Sequence, residues 1–285
     1  MLEFFMEPLT PDYMRQALLI GLFVSVPAAA LSCLLVLKGW SLMGDAVSHA
    51  VLPGIVIAWM LGLPFSIGAF ASGLLCAVAT GYLSENSRLK EDTVMGIVFS
   101  SLFALGVFLF TQIETELHLD HVLFGDMLGV SWRDCLNTAA LTLPVLVITL
   151  VLRRDLILYV FDPQHAGVVG LPTTRLHYLL LMMLSLLIVS AIKATGIILV
   201  IAVLIAPGAI AFLITHRIEH MLWVAMLVGA LATTLGVFLS YYIDSAPAPT
   251  IVVIMTGVFL FVFLFSPRHG ILMPSRGRGR INPAS

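Results

Sequence analysis

Residues 16–62 read QALLIGLFVSVPAAALSCLLVLKGWSLMGDAVSHAVLPGIVIAWMLG. Residues 16–37 are an apolar run without a formal charge, and residues 43–62 form a second whose one formal charge is Asp45. A helix needs about 20 mostly apolar residues to cross the hydrocarbon of a bilayer. Each run is long enough, and a short polar turn through Lys38 joins them. Working outward, seven more runs follow at 64–83, 93–112, 136–152, 176–192, 196–215, 221–243 and 251–265. The expected architecture is all-α and polytopic, with eight or nine spans. The count hinges on the tight junctions at 62–64 and 193–195, each of which is either a hairpin or a broken span.

Composition agrees with the spans. Of 285 residues, 60% are hydrophobic and 11% charged, against about a quarter charged in a soluble domain, and the mean hydropathy is +1.08. A soluble globular protein is excluded. The net charge of -2 leaves no basic field to hold a nucleic acid. Cys33, Cys76 and Cys135 are odd in number and have no metal-ligand spacing, so no disulfide framework is expected. The acidic start, with Glu3, Glu7 and Asp12, is unlike a signal peptide, and the first span is expected to direct its own insertion. The reading divides the chain into an outer N-terminal segment (1–15), a membrane domain (16–266) and a basic tail (267–285).

Lysine and arginine set the orientation. With the N-terminus outside, Lys38, Arg88, Lys90, Arg153, Arg154, Arg175, Arg217, Arg268, Arg276, Arg278 and Arg280 fall on the cytoplasmic side, leaving Arg15, Arg133 and Lys193 on the other. The predicted C-terminus is cytoplasmic and the outer face acidic. The tail arginines, next to a span, suit anionic lipid headgroups better than nucleic acid.

An acid within a span costs about 2.5 to 3.5 kcal/mol on insertion scales, so Asp45 asks for an explanation. His49, four residues on, shares its helix face and presents a nitrogen beside the carboxylate oxygens. Pro53 removes the hydrogen bond to the His49 carbonyl, and Gly54 follows, so the span is expected to break or kink there. Pro207-Gly208 would likewise free the Val203 carbonyl in the seventh span. Carboxylate plus imidazole suits Mn(II), Fe(II) or Zn(II) and disfavours Cu(I). The competing reading is a protonated Asp45 bonded to His49 as buried glue between helices. Two ligands do not complete a shell, so a symmetry mate or other groups would supply the rest.

Residues 38–54, KGWSLMGDAVSHAVLPG, carry a Gly-Asp-x-x-x-His core that resembles the signature of the permease subunits of metal-type ABC importers, which move manganese, iron or zinc. HVLFGDML resembles that family's outer loop, YVFDPQHAGVVGLP its cytoplasmic loop, LIAPGAIA its broken seventh span and SPRHGIL its C-terminal end. The resemblance implies a type II ABC importer-like permease in a bacterial inner membrane, working with a cytoplasmic ATPase dimer and a periplasmic or surface metal-binding protein. It implies that Asp45 and His49 are metal ligands contributed by each of two facing permeases, with no permanently bound cofactor. The second permease would be a copy or, as in chelated iron or manganese systems, a paralogue. Residues 162–171, including Asp162, Pro163, Gln164, Ala166, Gly170 and Leu171, would be the helix that docks on the ATPase. Gln164 stands where the family often has an acid. Independently, residues 153–175 are the longest predicted cytoplasmic connection, with Asp162-Pro163 as a helix start. An ordinary solvated loop fits that stretch equally well.

Other patterns lead elsewhere. His216-Arg-Ile-Glu219-His220 has the HxxEH order of a metalloprotease helix, but it joins two spans and lacks a third ligand, which favours a polar turn. Glu114, Glu116, His118, Asp120 and His121 cluster on the outer side, where they suit a solvated loop or the docking of a binding protein. No GxxxxGK[ST] occurs, so any ATP-driven cycle borrows its motor, and no catalytic motif stands out. The main rival function is a secondary metal transporter or channel that works without ATP.

Overall fold

A computed structural model describes residues 7–112, 125–215 and 217–265, and within them every regular element is helical. After a single 3-10 turn at Glu7–Leu9 come α1 (Asp12–Lys38), α2 (Met43–Met60), α3 (Phe65–Glu85), α4 (Glu91–Thr111), α5 (Trp132–Val151), α6 (Arg153–Phe161), α7 (Pro163–Val168), α8 (Thr173–Ile214), α9 (Ile218–Ile243) and α10 (Pro247–Phe265). Eight of these, all but α6 and α7, are long and apolar enough to cross a membrane.

At 42 residues, a straight α8 would be about 63 Å long, twice the roughly 30 Å of bilayer hydrocarbon. Its helical backbone is interrupted at Gly196 (φ 74°, ψ 167°), a conformation open essentially to glycine alone. Leu204 packs against Gly44, while Ser185 faces Gly73, which itself lies on Val47 and Val51 of α2. In a straight helix Ser185 and Leu204 would be about 28 Å apart, yet Leu204 meets Gly44 while Ser185 meets a glycine of α3 that packs on Val47 and Val51, within two turns of Gly44. The chain therefore reverses at Gly196, and α8 is two crossings, 173–195 and 197–214. With the other seven long helices this makes nine crossings among the described residues. The junction at 62–64 is also a reversal, turning at Gly62 (φ 68°) between α2 and α3.

Named contacts fix the helix directions. The Cys33 thiol donates to the Met221 carbonyl at one end of the α1–α9 pair, and Gly21 faces Thr233 toward the other, so the two run antiparallel. The Cys135 thiol donates to the Gln16 carbonyl, which sets α5 parallel to α1. Ser72 donates to the Ala50 carbonyl across the antiparallel α2–α3 pair at 2.5 Å. Followed through all the helices, these directions gather Lys38, Arg88, Lys90, Arg153, Arg154, Arg175 and Arg217 at one end of the bundle. Arg15, Arg133 and Lys193 lie at the other. The charge sorting that the sequence predicts is thus built into the packing.

Two expectations need correction. The helix runs unbroken through Pro53-Gly54 to Met60, and the 197–214 segment is helical through Pro207-Gly208. Each proline removes one backbone hydrogen bond, but it is buried and its neighbours hold the helix. The glycines serve close packing. A Cβ on Gly54 would overlap the Gly68 carbonyl, and one on Gly208 would lie 2.6 Å from the Ser32 backbone.

Candidate metal site

Asp45 is the third residue of α2, in its first turn, where the helix dipole favours a carboxylate. One turn on, His49 Nε2 lies 3.3 Å from Asp45 Oδ1, with the side chains 30% and 38% exposed respectively. Phe103 of α4 meets the imidazole edge to face at 5.4 Å between ring centroids, and Phe99 lies tilted at 6.5 Å. Two aromatic rings of α4 thus pack against the imidazole.

The pair lies within one helix and is open on one side, so it is not glue buried between helices of this chain. With metal–ligand bonds of about 2.1 Å, two ligands sit about 3.0 Å apart at a right angle and about 3.4 Å apart at the tetrahedral angle. The observed 3.3 Å falls in that interval, which is also the range of an ordinary Asp–His ion pair. Proline at position 53 leaves the His49 carbonyl without its usual helical donor. Among the described residues no group of three or more His, Cys, Asp or Glu side chains could hold a metal. The pair lies on a partly exposed face of α2. That face continues along α2 through half-buried Leu52 and Ile55 to exposed Trp59.

The 153–175 connection is more ordered than a loop. It holds α6 and the six-residue α7, whose N-cap is Asp162: the carboxylate accepts from the His165 backbone N–H at 2.9 Å. Pro163 takes the first helical position. At the other end Leu171 N–H donates to the Ala166 carbonyl at 3.0 Å, with Gly170 at φ 90°. Ala166 is the one buried residue of α7, and Gln164 is exposed. Phe161, Val168 and Val169 are 70%, 86% and 60% exposed, leaving an apolar surface at the basic end of the bundle.

Pro53, Gly54, Pro207 and Gly208 all lie buried in the packing between helices. Glu219 and His220 stand in the first turn of α9, while His216 lies outside the described residues. So do the outer cluster from Glu114 to His121 and the tail arginines. The sequence reading missed the Phe99 and Phe103 wall, for which aromatic spacing alone gives no address. It also missed the separate helix α6, although Asp155 in its first turn was a usable start signal.

Comparison with known proteins gives the family of the chain. The model of the ABC 3 transport family matches residues 10–266. The chain is 54% identical to the chelated iron transport system membrane protein YfeD of Yersinia pestis, over 91% of this chain and 88% of that protein. It is 45% identical to the manganese transport system membrane protein MntB of Synechocystis sp., over 97% and 91%. Its fold matches that of PsaBC from Streptococcus pneumoniae, solved in complex with a Fab, with a TM-score of 0.83 and 36% identity over 94% of this chain and 98% of that one. On sequence and fold together, the chain belongs to the ABC 3 transport family.

Proposed function

We propose that this chain is the membrane-spanning subunit of an ATP-driven importer of a divalent transition metal, manganese or ferrous iron foremost and zinc as a third candidate. The observation that carries the reading is the Asp45–His49 pair, spaced at 3.3 Å to share one ion and open on one side. The names of the relatives, which transport manganese or chelated iron, support the choice of cargo. A second permease, a copy or a paralogue, faces the open side of α2 and brings a matching Asp and His. Four ligands then surround the ion. A weak site of this kind is suited to transport, because an ion held too tightly does not leave.

The basic end of the bundle is the cytoplasmic one, in a bacterial inner membrane, with the N-terminus outside. There α7 and its flanks, with Asp162, Pro163, Gln164, Ala166, Gly170 and Leu171 shaping them, offer Phe161 at the end of α6, Val168 and Val169 to a groove of the ATPase. A periplasmic or surface binding protein delivers the ion at the opposite end.

The test is uptake of labelled manganese, iron and zinc into cells that express this chain with its genomic neighbours, with an intact or a hydrolysis-dead ATPase. Uptake that needs ATP hydrolysis supports the importer and names the metal. Uptake indifferent to the dead ATPase assigns the chain to the ATP-independent transporters.

A further inference from the structure

Any displacement of α7 has to leave it along two arms, because only Ala166 of that helix is buried. One arm runs back through Asp162 into α6, and the other runs forward through Leu171 and Pro172 into α8. Three residues before Asp162, Tyr159 is buried, 4% exposed. In the second turn of α8, His177 is 7% exposed. These two side chains are bonded to each other, Tyr159 Oη to His177 Nδ1 at 2.8 Å. The two arms are thus clamped together just above the point where they diverge.

The clamp leads to the metal site. Trp40, 2% exposed, meets the His177 ring edge to face at 5.4 Å, and the Lys38 ammonium lies 4.6 Å from the Tyr159 ring centroid and 5.7 Å from that of Trp40. Trp40 sits in the turn that enters α2. Its backbone N–H donates to the Leu35 carbonyl at 2.8 Å, and its carbonyl accepts from Met43 N–H at 3.0 Å, two residues before Asp45. Three contacts, Tyr159 to His177, His177 to Trp40 and Trp40 to Met43, therefore join the chain leaving α7 to the first turn of α2, which holds Asp45. The Trp40 indole N–H, buried in this series, has no acceptor among the described residues.

We infer that Tyr159, His177 and Trp40 are positioning residues that convert movement of α7 into movement of the first turn of α2, and so of the Asp45–His49 pair. The inference rests on the importer reading above. None of the three touches the ion. Their effect is on how much metal crosses per ATP hydrolysed.

The test uses the whole transporter in proteoliposomes, measuring manganese imported per ATP for wild type, Tyr159→Phe, His177→Gln and the double variant, normalised to assembled complex. Manganese binding without ATP is measured alongside. Tyr159→Phe keeps the ring and removes only the hydroxyl, so the ratio falls several-fold, on the scale of the roughly fivefold change in an equilibrium constant that one neutral hydrogen bond makes. Manganese binding and ATPase assembly stay at the wild-type level. The double variant is no worse than the worse single one, as expected for two ends of one bond. A role in folding alone would lower the yield of complex and leave the ratio unchanged, which would overturn the inference, as would an unchanged ratio at full yield. A wild-type transporter without ATP-dependent import refutes the importer reading instead, so the two failures are distinct.

Discussion

Gly54→Ala tests the packing that holds the metal-bearing helix. The new Cβ would overlap the Gly68 carbonyl and lie 2.6 Å from the Ser72 Cβ. Carbon atoms in contact rest at about 3.5–4.0 Å, so α2 and α3 must separate locally by about 1 Å. Neither obstacle is a flexible side-chain tip, since one is backbone and the other the first atom of a short side chain. Overpacking of this kind costs about 1–3 kcal/mol, and the Ser72 bond to the Ala50 carbonyl, one turn from Gly54, stretches with it. At the few degrees per kcal/mol usual for chains of this size, the melting temperature in detergent falls by about 5 °C. Gly96→Ala is the control. No atom lies within 4 Å of a Cβ there, and it lies inside α4, so alanine gains up to about 1 kcal/mol of helix propensity. The assay is fluorescence-detected thermal unfolding of both purified variants. If Gly54→Ala melts at or above wild type, the tight seam between α2 and α3 is refuted.

Three further substitutions probe other parts of the bundle. Gly81→Ala places a Cβ 2.6 Å from His177 Nε2, so the ring must shift, its bond to Tyr159 at Nδ1 is disturbed, and metal imported per ATP falls as it does for Tyr159→Phe, measured in the same proteoliposomes. Gly196→Ala puts a side chain where φ is 74° and ψ 167°, at a cost of about 1–3 kcal/mol, which thermal unfolding reads as a lower melting temperature. Asp134 accepts from Lys193 at 2.7 Å and also closes a capping box with Ser131 at the start of α5. Lys193→Ala therefore costs a few tenths of a kcal/mol, as exposed pairs do, while Asp134→Ala costs about 1 kcal/mol, because it removes that pair together with the carboxylate's bonds to the Ser131 N–H and hydroxyl. Equal losses in a double-mutant cycle would contradict that division.

Sequence reading went furthest where one side chain decides the outcome. Asp45 and His49, at i and i+4, had to share a helix face, and the structure has them 3.3 Å apart. The tight junction at 193–195 left a hairpin and a broken span equally open, and the backbone of Gly196 decides for the reversal. Lysine and arginine sorted to two ends without any knowledge of packing. The proline-glycine pairs misled because local rules register the hydrogen bond that Pro53 removes but not the neighbour that makes Gly54 necessary. That neighbour, the Gly68 backbone, belongs to another helix. The clamp of Tyr159 on His177, 18 positions apart in sequence, was hidden for the same reason: a buried hydrogen bond has no periodicity. The packing of Phe99 and Phe103 against His49 likewise depends on α4 running parallel to α2, which no stretch of the chain announces by itself.

The central claim is that the Asp45–His49 pair holds the ion in transit. Its most direct test is ATP-dependent uptake of labelled manganese and iron by the assembled transporter with Asp45→Asn, which keeps the shape of the side chain and removes its charge. Uptake is predicted to be lost while the variant assembles with its ATPase in normal amount. Uptake at the wild-type rate in the Asp45→Asn transporter would contradict the account.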